Sequence, residues 1–201
     1  HEKDKQTEKE LIEKLVSFQT SGLILSPINK GKEFEDYLSS LPIPTVIIGN
    51  DMKKTTAVGI DEYQATVDAV NYIIDKGYQN IIFCCPPLID DDGKYNLGHV
   101  LRMRGYKNAM KKHGLKSRCI EGDDYLEKVK QKMKNAVNKP AFLCSGDIFA
   151  NEIMTALHQE GYIIKRDFGV MGFDYVKVYQ NGIINMTTVD NHIDLIGQKA
   201  A

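Results

Sequence analysis

The sequence predicts an α/β fold built on parallel sheets. Three observations carry that reading. Short apolar runs alternate with helical patterns along the chain, in strand-helix-strand order. The run Ile81 to Cys85 has no polar alternation, as expected for a strand covered on both faces. Two apolar runs, Ala141 to Cys144 and Phe168 to Met171, are followed by Ser145-Gly146-Asp147 and Gly172-Phe173-Asp174, so that each strand end carries an aspartate. In an open parallel sheet the carboxyl ends of the strands are where ligands bind, so the stretch Ala141 to Tyr175 is both core and candidate site.

In chain order, Glu8 to Thr20 is helical by pattern, with Leu11, Ile12, Leu15 and Phe18 on one side and charges on the other. Gly22 to Ser26 is a buried strand stopped by Pro27, and Phe34, Leu38 and Leu41 mark a short helix ended by Pro42 and Pro44. Thr45 to Ile48 is the next strand. Asp61-Glu62-Tyr63-Gln64 opens a helix, with Asp61 as cap and Gln64 placed to reach back to it; Ala65, Ala69, Val70, Ile73 and Ile74 form its buried stripe and Gly77 closes it. After the strand Ile81 to Cys85 comes a long loop, Pro86 to Gly98, containing Asp90, Asp91 and Asp92, which reads as a binding loop or a mobile one.

Val100 to His113 is helical with Gly105 and Ala109 on one side, Arg118 to Glu121 is a short strand, and Asp123 or Asp124 starts a helix through Val129, Met133 and Val137. In the central unit, Ala150, Ile153, Met154 and Leu157 recur at helical spacing and Gly161 suits a left-handed C-terminal residue. Beyond Asp174 the chain is irregular through Asn181-Gly182 to a β-prone run, Met186 to Val189, and Asn191 to Ala201 starts a last helix.

The 201 residues, 42% apolar, suffice for a sizeable core in one or two domains. A net charge of -1 argues against a broad phosphate-binding face and leaves room for a local basic patch. No apolar run has membrane-spanning length or the look of a signal peptide, so no membrane association is expected. Cys84, Cys85, Cys119 and Cys144 have no metal-ligand spacing and read as reduced core thiols of an intracellular protein.

The familiar catalytic and cofactor spacings are missing: no GxGxxG, Walker loop, GxSxG elbow or HExxH, and the five histidines are scattered. No metal, cofactor or enzymatic activity is therefore expected. Asp90 to Asp92 lack calcium-loop spacing and read as a solvated loop, and Cys144-Ser145 has no base placed beside it. Asp147 reads equally as a helix cap or a ligand contact. Asp174 does not open a helix; its carboxylate suits the hydroxyls of a sugar or the N–H groups of a base, with the preceding Phe173 offering a flat apolar face.

Five segments in order resemble one family: Val58-Gly59-Ile60-Asp61 before a helix ending Lys76-Gly77-Tyr78; Arg102-Met103-Arg104-Gly105-Tyr106; Ser145-Gly146-Asp147; Asp167 to Asp174 (DFGVMGFD); and Thr187-Thr188-Val189. Together they cover nearly the whole chain and resemble the effector domain of LacI-type transcriptional repressors. The resemblance implies a type I periplasmic-binding-protein-like fold: two Rossmann-like subdomains, residues 1–60 plus 191–201 and residues 61–190, with a small molecule between them. It also implies that a helix-turn-helix headpiece, the first strand, helix and strand of the effector domain, and its last elements lie outside these residues; the start at His1 rather than Met agrees with a fragment.

Carried over residue by residue, the family's effector contacts fall on Arg102, Phe173, Asp174 and Asn191, with Gly146 and Asp147 at the position where relatives often have Asn-Asp. Gly146 removes an amide that would contact the ligand, and Gly49 has no acidic neighbour of the kind common in sugar-responsive members, so the ligand is not copied from a relative. The resemblance implies a cytoplasmic homodimer that senses a sugar or sugar phosphate, or secondarily a purine, and reads operator DNA through the headpiece. An extracytoplasmic sugar-binding protein of a transport system shares the fold and is the alternative; it would carry an export signal instead of the headpiece. An enzyme on a doubly wound sheet would need a nucleophile and base at the strand ends.

Overall fold

The computed structural model describes residues 4–49, 52, 54–89, 93, 96–177 and 186–201. The chain divides into two compact units, His1–Ile60 with His192–Ala201, and Asp61–Asn191. The aspartate run at 90–92 and Asn181-Gly182 lie outside the described residues.

The first unit holds a three-stranded parallel sheet in the order β1 (Leu23–Leu25), β2 (Thr45–Ile48), β3 (Thr56–Val58), with α1 (Lys5–Ser17) before β1 and α2 (Lys32–Ser39) between β1 and β2. Asp4 caps α1 by accepting from the backbone of Gln6 and Thr7 at 3.0 and 3.3 Å. Strand β3 was not expected: Thr56 and Ala57 are exposed, so the segment lacks the apolar run that marks a strand. The apolar stripe expected on α1 is corrected. Only Ile12 of it is buried, whereas Leu11, Leu15 and Phe18 are exposed.

The buried face of α1 is shared instead by a charge. Glu8, 1% exposed, accepts from the Ile28 and Asn29 backbone at 2.9 Å each and from Asn29 Nδ2 at 2.7 Å, tying the loop after β1 to the helix. A carboxylate with three donors is a satisfied anchor, and the sequence pattern has no way of announcing it.

The second unit is a five-stranded, wholly parallel sheet in the order β5-β4-β6-β7-β8: β4 (Asn80–Cys85), β5 (Arg118–Glu121), β6 (Pro140–Cys144), β7 (Gly169–Asp174) and β8 (Thr187–Asp190). Strand residues alternate between two cores. Ile81, Phe83, Cys85, Ala141 and Leu143 pack with α3 (Glu62–Asp75) and α4 (Leu97–Lys112). Ile82, Cys84, Phe142 and Cys144 pack with α5 (Tyr125–Lys134) and α6 (Asp147–Gln159). Burial on both faces is why these strands read as unbroken apolar runs.

Helices α3 and α4 meet at Gly105, where a Cβ would overlap the Tyr63 carbonyl, beside the fully buried Thr66. Asp61 accepts from Gln64 N at 2.9 Å as expected of a cap, but the Gln64 side chain donates to Asp68 at 2.9 Å instead of reaching back. Val137, expected at the end of the α5 stripe, lies beyond that helix and is 97% exposed. Cys84, Cys85 and Cys144 are buried free thiols; Cys119, expected in the core, is exposed. The last helix, α7 (Ile193–Ala200), returns to the first unit against β2 and β3. No helix among the described residues is long and apolar enough to cross a membrane.

Candidate functional site

Strands β4 and β6 are neighbours, yet the chain goes from β4 outward to β5 before it returns to β6 on the other side. Such a reversal marks the carboxyl ends of the strands as the usual place for a ligand. Five side chains or backbone groups of the second unit converge there: Arg102 from α4, Glu62 at the first turn of α3, Ser145 after β6, Asp174 at the end of β7 and Asn191 after β8.

Arg102 is the hub, with its residue only 7% exposed. Its Nε and Nη2 donate to the two Glu62 oxygens at 2.6 and 3.2 Å, Nη1 donates to the Ser145 carbonyl at 2.5 Å, and Nη2 also donates to Asp174 Oδ1 at 3.2 Å. The Glu62 contact is a fork-to-fork pair, a geometry only a guanidinium offers. Phe173 stacks under the guanidinium, with the carbon at its centre 3.6 Å from the ring centroid. The ring itself is 1% exposed. Phe173 is thus almost wholly covered, with the Arg102 guanidinium on one face of its ring.

Asp174 Oδ1 accepts from Arg102 and, at 2.9 Å, from Asn191 Nδ2, while Oδ2 accepts from none of the described residues. Its backbone has φ 103, followed by Tyr175 at φ 56. Both are left-handed conformations that side chains rarely adopt, a cost usually met at functional positions. Burial raises the Asp174 carboxyl above its usual range, and the Arg102 charge opposes that rise.

Asp147 lies beneath this layer. It is the first residue of α6 and not its cap, which is Gly146 in extended backbone. At 1% exposure its carboxylate accepts from Thr188 Oγ1 at 2.5 Å and from Val176 N at 2.7 Å. Asp147 thus ties α6 to β8 and to the segment after β7, and it is committed within the protein. Gly146 is closely packed: a Cβ there would sit 3.3 Å from the Phe149 ring, which would have to give slightly, and 3.5 Å from Asp174 Oδ2.

Burial raises the Asp147 carboxyl, with the Thr188 hydroxyl opposing it. A raised carboxyl contributes stability at acid pH that is lost as pH climbs through the folded value. Thr188→Val removes a donor to the ionised form and raises the group further. The variant is expected to lose ~1 to 2 kcal/mol at pH 7. That deficit should shrink as the pH is lowered and Asp147 takes up a proton. Urea unfolding at neutral and acid pH measures it.

Of the six residues expected from sequence, Arg102, Phe173, Asp174 and Asn191 form one connected cluster, and Gly146 and Asp147 adjoin it. Glu62 and Ser145 were missed. Glu62 read as helix-opening chemistry, and the only further signal was a carboxylate one residue past the cap. Ser145 Oγ and Asn191 Oδ1 are buried without a hydrogen-bond partner among the described residues. Buried polar atoms are rarely left so, and here they mark the edge as unfinished.

The profile of the periplasmic binding protein-like domain family matches residues 70–201, well over half of the chain. The chain is 29% identical over 205 residues to the NTD biosynthesis operon regulator NtdR of Bacillus subtilis, covering 98% of this chain and 60% of that protein. It is 26% identical over 186 residues to catabolite control protein A of Priestia megaterium, covering 87% and 54%. The chain therefore spans little more than half the length of these relatives.

Among solved structures, a putative ribose operon repressor from Burkholderia thailandensis superposes with TM-score 0.78 at 21% identity, over 98% of this chain and 74% of that one. A periplasmic binding protein/LacI transcriptional regulator from Alkaliphilus metalliredigens, complexed with D-xylulofuranose, superposes with TM-score 0.77 at 22% identity, over 98% and 73%. These likenesses carry the fold, and the profile and curated relatives carry the kinship. The chain belongs to the periplasmic-binding-protein-like domain family, in the form that LacI-type transcriptional regulators use as their effector-binding domain.

Proposed function

We propose that this chain is the small-molecule sensing domain of a cytoplasmic LacI-type repressor, taking up its effector at the edge formed by Arg102, Asp174 and Asn191. One observation supports this above all. The edge is rigid yet incomplete: Arg102 and Asp174 are held by hydrogen bonds and a stacked ring, while Asp174 Oδ2, Asn191 Oδ1 and Ser145 Oγ lack partners among the described residues. A preorganised site with unmet polar atoms favours a ligand that supplies hydroxyls, and a sugar does so. The relatives named above are regulators, and two structural neighbours hold D-xylulofuranose and ribose. We read the edge as a binding site and not a catalytic one.

The two units then serve as the two effector subdomains, in a homodimer that binds operator DNA through a headpiece. Effector binding shifts the balance between two states of the regulator. A coupling of ~1 to 3 kcal/mol changes operator affinity roughly 5- to 150-fold.

A thermal-shift screen against sugars, sugar phosphates and purines tests the reading. A ligand at 100 times its dissociation constant adds ~2.7 kcal/mol, a shift of several degrees. Asp174→Ala is expected to weaken the ligand that scores by roughly 10- to 150-fold, the equivalent of ~1.5 to 3 kcal/mol of charge-assisted hydrogen bonding. Unchanged affinity in the folded variant would remove Asp174 from the site.

A further inference from the structure

Among the described residues one guanidinium, Arg102, faces two carboxylates, Glu62 and Asp174. A guanidinium has five N–H donors. Four are engaged within the protein: two on Glu62, one on Asp174 and one on the Ser145 carbonyl.

An anion such as phosphate is recognised by a guanidinium fork with two free parallel donors. Glu62 occupies that fork and neutralises its charge at the same time. The unpartnered oxygens of Asp174 and Asn191 point the same way. Asp174 Oδ2 and Asn191 Oδ1 are acceptors only, while Ser145 Oγ can donate or accept, and one guanidinium N–H and the second hydrogen of Asn191 Nδ2 are donors. Acceptors need donors. Hydroxyl and ammonium groups donate; a phosphate dianion at neutral pH brings further acceptors and two negative charges.

We propose that Glu62 closes the Arg102 fork to anions, so that this edge selects a polyhydroxylated ligand, neutral or bearing an amino group, and rejects the phosphorylated form. For its ligand the inference rests on the effector reading above; for the closed fork it rests on geometry alone. Glu62 is then a specificity-determining residue that acts through Arg102.

Inorganic phosphate is the probe for the fork, titrated with phosphorus NMR line broadening and thermal shift as readouts. Wild type is expected to show no saturable phosphate binding at tens of millimolar. Glu62→Gln retains an acceptor for Nε but loses the charge, and is expected to gain saturable phosphate binding at least ~10-fold tighter than wild type. Adding Arg102→Lys to that variant should abolish the gain, since an ammonium lacks the fork.

Saturable phosphate binding by wild type that Arg102→Lys removes would overturn the proposal, whether or not the Glu62 variant folds. So would a folded Glu62→Gln that gains nothing. D-ribose and ribose 5-phosphate, and D-glucose, glucosamine and glucose 6-phosphate, form the second arm. Tighter binding of a phosphate ester than of its parent would also overturn the proposal. If no sugar binds but Glu62→Gln still gains phosphate, the closed fork stands and the effector reading alone fails.

Discussion

Replacing Arg102 by methionine is expected to destabilise the second unit by ~3 to 5 kcal/mol. The guanidinium is the shared partner of the Glu62 and Asp174 carboxylates, whose side chains are 16% and 35% exposed against 8% for Arg102 itself. Methionine fills much of the volume and can still lie on Phe173, so packing is largely kept. Two carboxylates are left without their cation, and the Ser145 carbonyl loses its donor. Removing one member of a buried pair costs far more than the pair contributes, because the remaining charge is uncompensated.

The loss should fall in the lower part of that range, since Asp174 retains Asn191 and some access to water. Adding Glu62→Gln to Arg102→Met should recover part of it. Neighbours in one network are not additive, and a double-mutant cycle by urea unfolding reads the coupling. Equal losses with and without Glu62→Gln would show that the pair is not the source of the cost.

Gly172→Ala is the second large expected effect, again ~3 to 5 kcal/mol, which for a domain of this size is a fall in Tm of about 10 °C or more. Gly172 stands opposite Thr188 in the β7–β8 ladder. Its backbone is not left-handed, so alanine is conformationally acceptable and the cost is steric. A Cβ would overlap Asp147 Oδ1 and lie 3.2 Å from the Asp147 Cα and Cγ. The carboxylate cannot turn aside, because Thr188 and Val176 hold it. Either β7 and α6 separate or a buried carboxylate loses its donors. Asp147→Ala in the same chain should make Gly172→Ala markedly less harmful. An unchanged penalty in that background would place the clash elsewhere.

The two glycines before the aspartates show what each level of description supplies. Gly146 and Gly172 both read from sequence as punctuation at strand ends. Only in three dimensions do they differ: a Cβ at Gly146 would press on the Phe149 ring at 3.3 Å, whereas at Gly172 it would overlap the Asp147 carboxylate. Likewise Asp147 and Asp174 both stand at strand ends in the sequence, told apart there only by the helix that begins at Asp147. Burial and partners separate them, one tied within the fold and the other at its edge.

The sequence by itself determined the alternation of strands and helices and the parallel sheets, and its resemblance to a family named Arg102, Asp174 and Asn191 as candidates. Apolar periodicity, caps and turn residues are local physics, expressed within a few residues of where they act, and the candidates came through an ordered set of motifs. Tertiary structure alone decided which charge faces which. Glu62 and Arg102 are 40 residues apart and Arg102 and Asp174 are 72 apart, and no periodicity links them. It also decided that Phe173 lies under the guanidinium and that Leu11, Leu15 and Phe18 of α1 stay exposed. Ion pairing and burial depend on the register and packing of distant elements, and these exist only once the chain has folded.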